Sequence, residues 1–148
     1  MNQNLIKVDK QQIRALIPHS GTMCLLDGVL DWDDETIDCI SETHRHAANP
    51  LRRNGRLSSV HALEYGAQAA AVHGGLRAQA AGAVAPPGFL AAIRDATFNI
   101  PYLDDVEAAL HVRSRRLYGE GVNTVYECEV RADGKVLVSG RVTIMLRT

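Results

Sequence analysis

The sequence predicts an α+β fold in which an antiparallel sheet wraps around one long central helix. Two observations favour this class. The run from Ser58 to about Ala81 is apolar or small nearly all the way round, which is typical of a buried helix. Two strand-like segments precede this run and several follow it. Because the 148-residue chain shows no change of composition along its length, we expect residues 1–148 to form a single domain.

The first segment, DKQQIRALIP, predicts a short helix. Asp9 is a suitable N-cap, Gln12 stands three residues later at the capping-box position, and Pro18 ends the helix. Next come CLLDGVL and ETIDCISET, which we expect to form a hairpin around a turn at DWDD. A polar loop, HRHAANPLRRNGRL at residues 44–57, separates this hairpin from the long helix.

Ser58 or Ser59 can cap the long helix, which then runs for roughly six turns at about 3.6 residues per turn. The segment AVAPPG interrupts the apolar pattern of the long helix. The later segments FLAAIRDATFNI, VEAALHVRSRRLY, VNTVYECEVRA and KVLVSGRVTIML predict strands, and the Asp-Gly of ADGK predicts a hairpin between the last two. One face of the last segment carries alternate residues: Val136, Val138, Gly140, Val142, Ile144 and Leu146.

This order of elements matches a hot-dog fold. A single sheet curled around one helix leaves a sheet edge exposed and covers the helix incompletely. We therefore expect a dimer in which strand pairing continues from one subunit to the other.

Charge and cysteine content exclude several classes of protein. Lysine and arginine number 16 against 17 for aspartate and glutamate, so net charge predicts neither nucleic acid nor a membrane as partner. Cys24, Cys39 and Cys128 lie far apart, and their odd number argues against a disulfide framework. The N-terminus lacks the apolar core of a signal peptide, and residues 58–82 are too rich in small and polar residues for a membrane span. We expect a soluble, cytoplasmic protein.

Four segments, in the right order and spanning nearly the whole chain, resemble the 3-hydroxyacyl-acyl-carrier-protein dehydratases of the hot-dog superfamily. IRALIPHSGTMCLLDGVLDWD is similar to the family's leader, and LEYGAQ to its helix motif with a catalytic Glu and a Gln four residues later. GFLAAIRDATFNIP is similar to its third segment and ADGKVLVSGRVTIML to its closing hairpin. More narrowly, residues 49–76 resemble a divergent branch of predicted dehydratases, some of them associated with aryl polyene pigment synthesis.

The resemblance implies that Glu64 is the catalytic acid, with Gln68 at the matching position beyond it. It also implies an acyl carrier protein as partner. The usual family has a His-Phe-Pro segment about fourteen residues before the acid and a Pro-Gly pair at the helix start. This chain has Pro50 at that spacing and Ser58-Ser59 in place of Pro-Gly.

Dehydration of a 3-hydroxyacyl thioester needs a base for the C2 proton, an acid for the leaving hydroxyl and donors for the thioester oxygen. Glu64 is the one charged residue in HALEYGAQAAAVHGGL, so burial is expected to raise its pKa and keep it protonated as the acid. An exposed Glu64, or one paired with an arginine, is the alternative. Gln68 lies one turn further on the same face and either orients that carboxyl, holds a water, or bonds only to the backbone.

Three histidines are candidates for the base. We choose His44, which lies where the second strand meets the loop and resembles the His found before NPLR in the divergent branch. His46 takes the role if the loop is shifted, and His61 lies beside Glu64 on the helix. Since HALE has no second cluster of ligands at suitable spacing, we expect neither a metal nor another cofactor.

The backbone N–H groups of Ser59 and Val60 are the expected donors to the thioester carbonyl, because a helix start leaves such groups free. The small residues of AAAVHGG either leave room for an acyl chain or allow close packing. LRRNGR and VRSRR are either solvated surface or docking sites for acyl carrier protein, which is acidic and carries a phosphate on its prosthetic arm.

The sequence thus predicts a dehydratase that converts 3-hydroxyacyl-acyl carrier protein to the trans-2-enoyl product in fatty acid or polyene synthesis. It is expected to act as a homodimer or as a heterodimer with a related hot-dog chain. Two alternatives stay open. One is a hot-dog thioesterase, in which Glu64 activates water or attacks the thioester. The other is a non-catalytic subunit that completes a dehydratase formed with a related chain.

Overall fold

The computed structural model describes residues 5–17 and 21–147. Its two α-helices are α1 (Lys10–Leu16) and α2 (Ala62–Ala80). Its strands are β1 (Val8–Asp9), β2 (Gly28–Trp32), β3 (Thr36–Ser41), β4 (Gly88–Phe98), β5 (Leu110–Glu120), β6 (Asn123–Ala132) and β7 (Lys135–Leu146).

All strands belong to one antiparallel sheet with the order β1-β2-β3-β5-β6-β7-β4. The helix α2 packs against five of these strands, β3 to β7. Its apolar residues join those of the sheet in one core, which includes the fully buried Val72 of α2 and Val142 of β7. The predicted α+β class, an antiparallel sheet around a long helix, is confirmed.

The start of α1 is stabilised by the predicted capping box. The Asp9 carboxylate accepts from the Gln12 N–H at 2.8 Å, and the Gln12 side chain accepts from the Asp9 N–H at 2.8 Å. Backbone donors that would otherwise lack partners at the helix start are thereby satisfied. Ile17 is already extended beyond the last turn. The stop predicted at Pro18 lies outside the described residues.

The predicted hairpin is formed by β2 and β3, with shifted bounds. The strand β2 starts later than expected because backbone carbonyls of the stretch before it bond to a side chain instead of a neighbouring strand. The Lys10 ammonium donates to the carbonyls of Cys24 and Leu26 at 3.0 and 2.8 Å. The turn also lies further along the chain. It forms at Asp33, whose carboxylate accepts from two following backbone N–H groups at 2.9 and 2.8 Å, as in an Asx turn.

The long helix begins through a short 3₁₀ turn, Ser59–His61, which Ser58 caps by accepting from the Val60 N–H at 3.3 Å. The expectation that this helix is buried all round is wrong along one side. That side is marked by the exposed or half-exposed residues Val60, Glu64, Ala71, Gly74 and Ala78, with a buried turn between Glu64 and Ala71. No helix in the described part of the chain is long and apolar enough to cross a membrane.

The hairpin of β6 and β7 forms as predicted around Asp133 and Gly134. Both have positive φ, 51° and 72°, as a two-residue type I′ turn requires. The alternate residues of β7 from Val138 to Ile144 are buried against the core, while Arg141 on the other face is exposed. The period-2 pattern of the sequence therefore assigned the faces correctly from Val138 to Ile144, while Val136 and Leu146 are only partly buried and Leu137 is buried.

The strand β4 forms one edge of the sheet and is exposed along most of its length. Three large apolar side chains, Phe89, Ile93 and Phe98, are between 41% and 43% exposed. An unpaired edge strand with apolar side chains is a pairing site that proteins normally cover. Since one chain does not show what covers it, the expected dimer stays a prediction.

Gly66 lies where α2 packs directly against Cys128 of β6. A Cβ at this position would be 2.7 Å from the Cys128 Cβ and 2.8 Å from its Sγ. We expect Gly66→Ala to lower the free energy of unfolding by about 1–3 kcal/mol, because the helix must move away from β6. Urea denaturation at a fixed protein concentration measures the change.

The matched control is Gly74→Ala on the same helix, where a Cβ would meet no atom within 4 Å. It should raise the free energy of unfolding by about 0.5–1 kcal/mol, because alanine loses less backbone entropy in a helix. Equal stability of the two variants would contradict the role assigned to Gly66.

Candidate active site

His44 lies in a short 3₁₀ turn, Thr43–Arg45, directly after β3. None of its surface is exposed. Its Nε2 lies 2.9 Å from the Val106 carbonyl oxygen, and its Nδ1 has no hydrogen-bond partner among the described residues. Because a carbonyl only accepts, the neutral ring carries its proton on Nε2 and leaves the lone pair of Nδ1 free.

The surroundings of His44 favour this neutral form. Burial lowers the pKa of His44, and the backbone of Val106 and Ala108, which favours the charged ring, offsets burial only in part. The charge of Arg45 also lowers this pKa. A neutral imidazole with a free ring nitrogen has the protonation state that a general base needs.

A buried hydrogen-bond network fixes the backbone next to His44. Tyr65 of α2 reaches the loop with its hydroxyl, which lies 2.8 Å from the Thr43 Oγ1 and accepts from Asn49 Nδ2 at 3.0 Å. Asn49 Nδ2 also donates to the Thr43 carbonyl at 3.0 Å, and Thr43 Oγ1 donates to the Leu25 carbonyl at 2.7 Å. The turn that holds His44 is thus tied to both α2 and the segment before β2.

The arginines of LRRNGR organise the loop itself. Arg52 donates to three backbone carbonyls, of His44 at 3.0 Å, His46 at 2.9 Å and Gly55 at 2.7 Å. Arg56 is bound to two carboxylates of the turn that precedes β5. Only Arg53, which is exposed and bonded to carbonyls of its own loop, is left for the docking role considered for this stretch.

Glu64 lies on the first turn of α2, and its side chain is exposed. The expectation of a buried Glu64 is therefore wrong for the single chain. The cause is the direction of its side chain, which points away from the sheet on the same side as Val60. The desolvation on which its expected role as an acid depends is not supplied by this chain alone. No described hydrogen bond or ion pair joins Glu64 to His44.

Gln68 is almost fully buried, at 6% exposure. Its Oε1 accepts from the Leu25 N–H at 2.9 Å and its Nε2 donates to the Met23 carbonyl at 2.6 Å. Of the roles considered, the structure shows the third: the amide bonds to the backbone. Gln68 holds the segment before β2 against α2.

The expected free donors at the helix start are also wrong for this chain. The Ser59 N–H donates to the Pro101 carbonyl at 2.9 Å, and the Val60 N–H bonds to the Ser58 cap at 3.3 Å. The first contact arises because the segment before α2 pairs with the one around Tyr102 through an isolated bridge, and the second is the local cap of the 3₁₀ turn. The side chain of Val60, in contrast, is 53% exposed beside Glu64.

The other two candidate bases lie nearer the surface. His46 is exposed at the end of its 3₁₀ turn. His61 is half-buried at the start of α2 and lines a small cleft of about 260 Å³ together with Arg53, Ser58 and Tyr102. Neither ring makes a described hydrogen bond, so neither has a fixed tautomer.

A groove of about 620 Å³ runs along the second half of α2. Its helix wall consists of small residues that include Ala71, Gly74 and Ala78, and Ile144 of β7 lines it as well. Of the two roles considered for AAAVHGG, Ala71 and Gly74 leave room beside the helix, while Gly75 packs closely against Leu16. Arg116, from the stretch VRSRR, also borders this groove.

The described residues hold no cluster of three or more histidine, cysteine, aspartate or glutamate side chains suited to a metal ion.

A comparison with protein families gives a match over residues 11–147 with the ApeP-like family, ApeP dehydratase. The chain belongs to this dehydratase family. Among curated proteins, no sequence matches this ApeP-like chain.

Solved structures place the ApeP-like chain among hot-dog proteins, as predicted. One similar chain is in the dehydratase heterocomplex ApeI:P from Xenorhabdus doucetiae, with a TM-score of 0.82 and 24% identity over 92% of this chain and 91% of that chain. A mutant of the thioesterase PA1618 from Pseudomonas aeruginosa has a TM-score of 0.63 and 16% identity, covering 96% and 97%. Thioesterase superfamily member 2 of zebra fish has a TM-score of 0.60 and 15% identity, covering 93% and 95%.

Sequence reasoning missed the groups that fix the ring of His44 in this ApeP-like chain. The Val106 carbonyl gives no signal, since every residue has such a group. Tyr65 and Asn49 do give one, because a hydroxyl within an apolar helix and an asparagine within a loop near a strand end both need partners when buried.

Two buried histidines make the stability of this dehydratase depend on pH. Burial lowers the pKa of both His44 and His73. His73 Nδ1 lies 2.6 Å from the Tyr126 hydroxyl and its Nε2 lies 2.7 Å from the Asp33 carbonyl. The unfolded chain therefore takes up protons just below about pH 6.5 that the folded chain does not.

The resulting stability is complete above about pH 6.5 and is lost as the pH falls below it. We expect the free energy of unfolding, measured with urea between about pH 7.5 and about pH 5, to decrease towards acid. His73→Gln should reduce this decrease, and His111→Gln, at an exposed position of β5, should leave it unchanged. An identical pH dependence of wild type and His73→Gln would refute the assignment.

Proposed function

We propose that the chain is a catalytic dehydratase subunit that converts 3-hydroxyacyl-acyl carrier protein to trans-2-enoyl-acyl carrier protein, in fatty acid or polyene synthesis. The observation that carries the proposal is the state of His44: a buried, neutral imidazole whose Nδ1 lone pair is free. Membership of the ApeP-like dehydratase family supports the reaction class. The free, buried thiols of Cys24, Cys39 and Cys128 suit a reducing compartment, and we place the reaction in the cytoplasm.

In the proposed reaction His44 Nδ1 takes the proton from C2 of the acyl chain, and Glu64 gives a proton to the hydroxyl at C3. The C3–O bond breaks, a C2–C3 double bond forms, and water leaves. His44 ends protonated and Glu64 ionised, and both return to their starting states by proton exchange with solvent. A protonated carboxyl and a neutral imidazole together are the acid–base pair that such an elimination requires.

The acid needs a cover that one chain does not provide. Glu64 lies next to the exposed Val60, and the sheet ends at the exposed apolar strand β4. We propose that a second hot-dog chain packs on β4 and on the exposed side of α2, and that this contact desolvates Glu64. The heterocomplex formed by the similar ApeI:P chains supports a related chain over a second copy as the partner.

Acyl carrier protein is the proposed carrier of the substrate. Arg113 and Arg115 of β5 are both about half exposed, with ion pairs to Asp38 at 3.8 Å and Glu127 at 3.0 Å. Exposed pairs of this kind are weak and exchange readily. Arg53, Arg113 and Arg115 are the exposed candidate docking residues of the two arginine-rich stretches. The groove beside Gly74, which Arg116 borders, is the candidate path of the acyl chain.

A second candidate function is that of a non-catalytic partner subunit. One observation favours it: His44 Nδ1 is buried within the chain while Glu64 is exposed, so a single chain does not bring the two groups together. A thioesterase is the third candidate, and the similar thioesterases support it through the fold alone.

The deciding experiment is mass spectrometry of a 3-hydroxyacyl-acyl carrier protein incubated with the purified chain, alone and together with a related hot-dog chain from the same organism. We expect loss of one water. Glu64→Gln and His44→Ala should each slow it by about 100-fold or more, because they remove the acid or the base. Glu35→Gln and His111→Gln, at exposed positions, are the controls.

The three candidate functions give different products. Turnover that survives Glu64→Gln and His44→Ala, but disappears without this chain, identifies a non-catalytic subunit. Release of free carrier thiol identifies a thioesterase. If His46→Ala or His61→Ala abolishes the loss of water and His44→Ala does not, the base has been wrongly assigned.

The covering of β4 is tested by the state of association. Ile93→Arg places a charge in the middle of the exposed edge strand, where Ile93 is 43% exposed, and should abolish assembly and with it dehydration. Tyr118→Arg, at a 59% exposed position of β5, should do neither. Analytical ultracentrifugation of both variants, with and without the related chain, would disprove the β4 interface if Ile93→Arg assembled normally.

A further inference from the structure

Two segments distant in sequence are held together beside His44. One leads into α2, and the other is the turn between β4 and β5. The Leu103 N–H of this turn donates to the Leu57 carbonyl at 2.8 Å. In return the Leu57 N–H donates to Asp104 Oδ1 at 2.8 Å, and Arg56 Nε donates to Asp104 Oδ2 at 2.7 Å. Both oxygens of one carboxylate therefore join the two segments.

The same turn ends at the carbonyl that binds His44. Val106 follows it directly, and the Val106 N–H donates to the Leu103 carbonyl at 3.0 Å. The Val106 carbonyl oxygen then lies 2.9 Å from His44 Nε2. Its position depends on the turn, and the turn is fixed by Asp104 two residues earlier.

We propose that Asp104 is a positioning residue for His44. By fixing the turn before β5, its carboxylate keeps the Val106 carbonyl on Nε2 and so leaves Nδ1 as the proton acceptor. This inference rests on the proposed function of His44 as the base. In the other tautomer Nδ1 would carry a hydrogen where the reaction needs a lone pair, so the orientation of a backbone carbonyl becomes a condition for catalysis.

Asp104 is suited to this role by its charge and its surroundings. Its side chain is 13% exposed. Burial alone would raise the pKa of Asp104, but the hydrogen bonds from the Leu57 N–H and the Arg56 guanidinium outweigh it, and the net pKa is lowered. Arg56 also lies over the Tyr102 ring, with its Cζ 3.9 Å from the ring centre. Charge-assisted bonds of a shielded carboxylate are stronger and more directional than those of an exposed one.

The neighbouring Asp105 provides a matched control. It binds the same guanidinium, with Arg56 Nη2 at 2.8 Å from its Oδ1. Its side chain is 63% exposed, and no backbone N–H is among its described donors. Loss of this outer contact should therefore leave the turn in place.

The experiment compares Asp104→Asn and Asp105→Asn with wild type in the complex that carries out the proposed reaction. Heteronuclear NMR of the histidine ring nitrogens reports the tautomer of His44, and steady-state kinetics report kcat and KM. In Asp104→Asn we expect a mixture of the two tautomers and a kcat lower by about 10- to 100-fold, with KM changed by less than about twofold. Asp105→Asn should match wild type in both measurements.

A second variant guards against a folding defect in the first. Arg56→Lys keeps the positive charge but loses the paired contacts with Asp104 and Asp105 and the stacking on Tyr102. It should give a smaller loss of kcat and a smaller change of tautomer than Asp104→Asn. A wild-type His44 tautomer in Asp104→Asn overturns the inference, whatever happens to kcat. If wild type shows no dehydration, the proposed function fails, while the tautomer measurement still decides whether Asp104 positions His44.

Discussion

The helix α2 lies close to the sheet because Gly66 has no side chain to hold it away. At this point the Ser114 hydroxyl donates to the Gly66 carbonyl at 2.9 Å, and the side chain of Cys128 fills the space that a Cβ would need. Interiors packed at this density leave no slack, so the rotation of the helix about its own axis is fixed as well. Together with the hydrogen bonds of Tyr65 and Gln68, this contact sets the directions in which the side chains of the helix point.

Tyr65 and Glu64 show the result. Successive residues of a helix point about 100° apart, so Tyr65 faces the loop after β3 while Glu64 faces outward. On the inner side, Tyr65, Asn49 and Thr43 satisfy one another, and the surroundings of His44 are complete within one chain. On the outer side, the side chains of Val60 and Glu64 are exposed. This chain alone provides the surroundings of the candidate base, His44. The candidate acid, Glu64, still needs a partner that buries it.

The elements of the fold could be predicted because they depend on local patterns: the capping box of Asp9, the Asp-Gly turn of the last hairpin, the period-2 face of β7 and the apolar run of α2. What failed depends on contacts between distant segments. The N–H groups of Ser59 and Val60 are occupied because one side chain caps the turn and the Pro101 carbonyl arrives from elsewhere in the chain. The exposure of Glu64 depends on which way α2 is turned, which composition does not encode. Most sides of this alanine-rich helix are buried, and Glu64 lies on the side that is not.

The strand β4 departs from the usual treatment of a sheet edge. Such edges are normally short, charged or interrupted by proline, whereas the eleven residues of β4 include Phe89, Ile93 and Phe98 on the surface. The exposed charges of Arg94 and Asp95, two register shifts and the positive φ of Asp95, 54°, interrupt it in the middle. A newly made chain with this edge uncovered is open to pairing with other exposed strands. Under the proposed pairing, selection acts on the supply of the chain that covers β4 as well as on this chain, which favours making the two in matched amounts and at the same time.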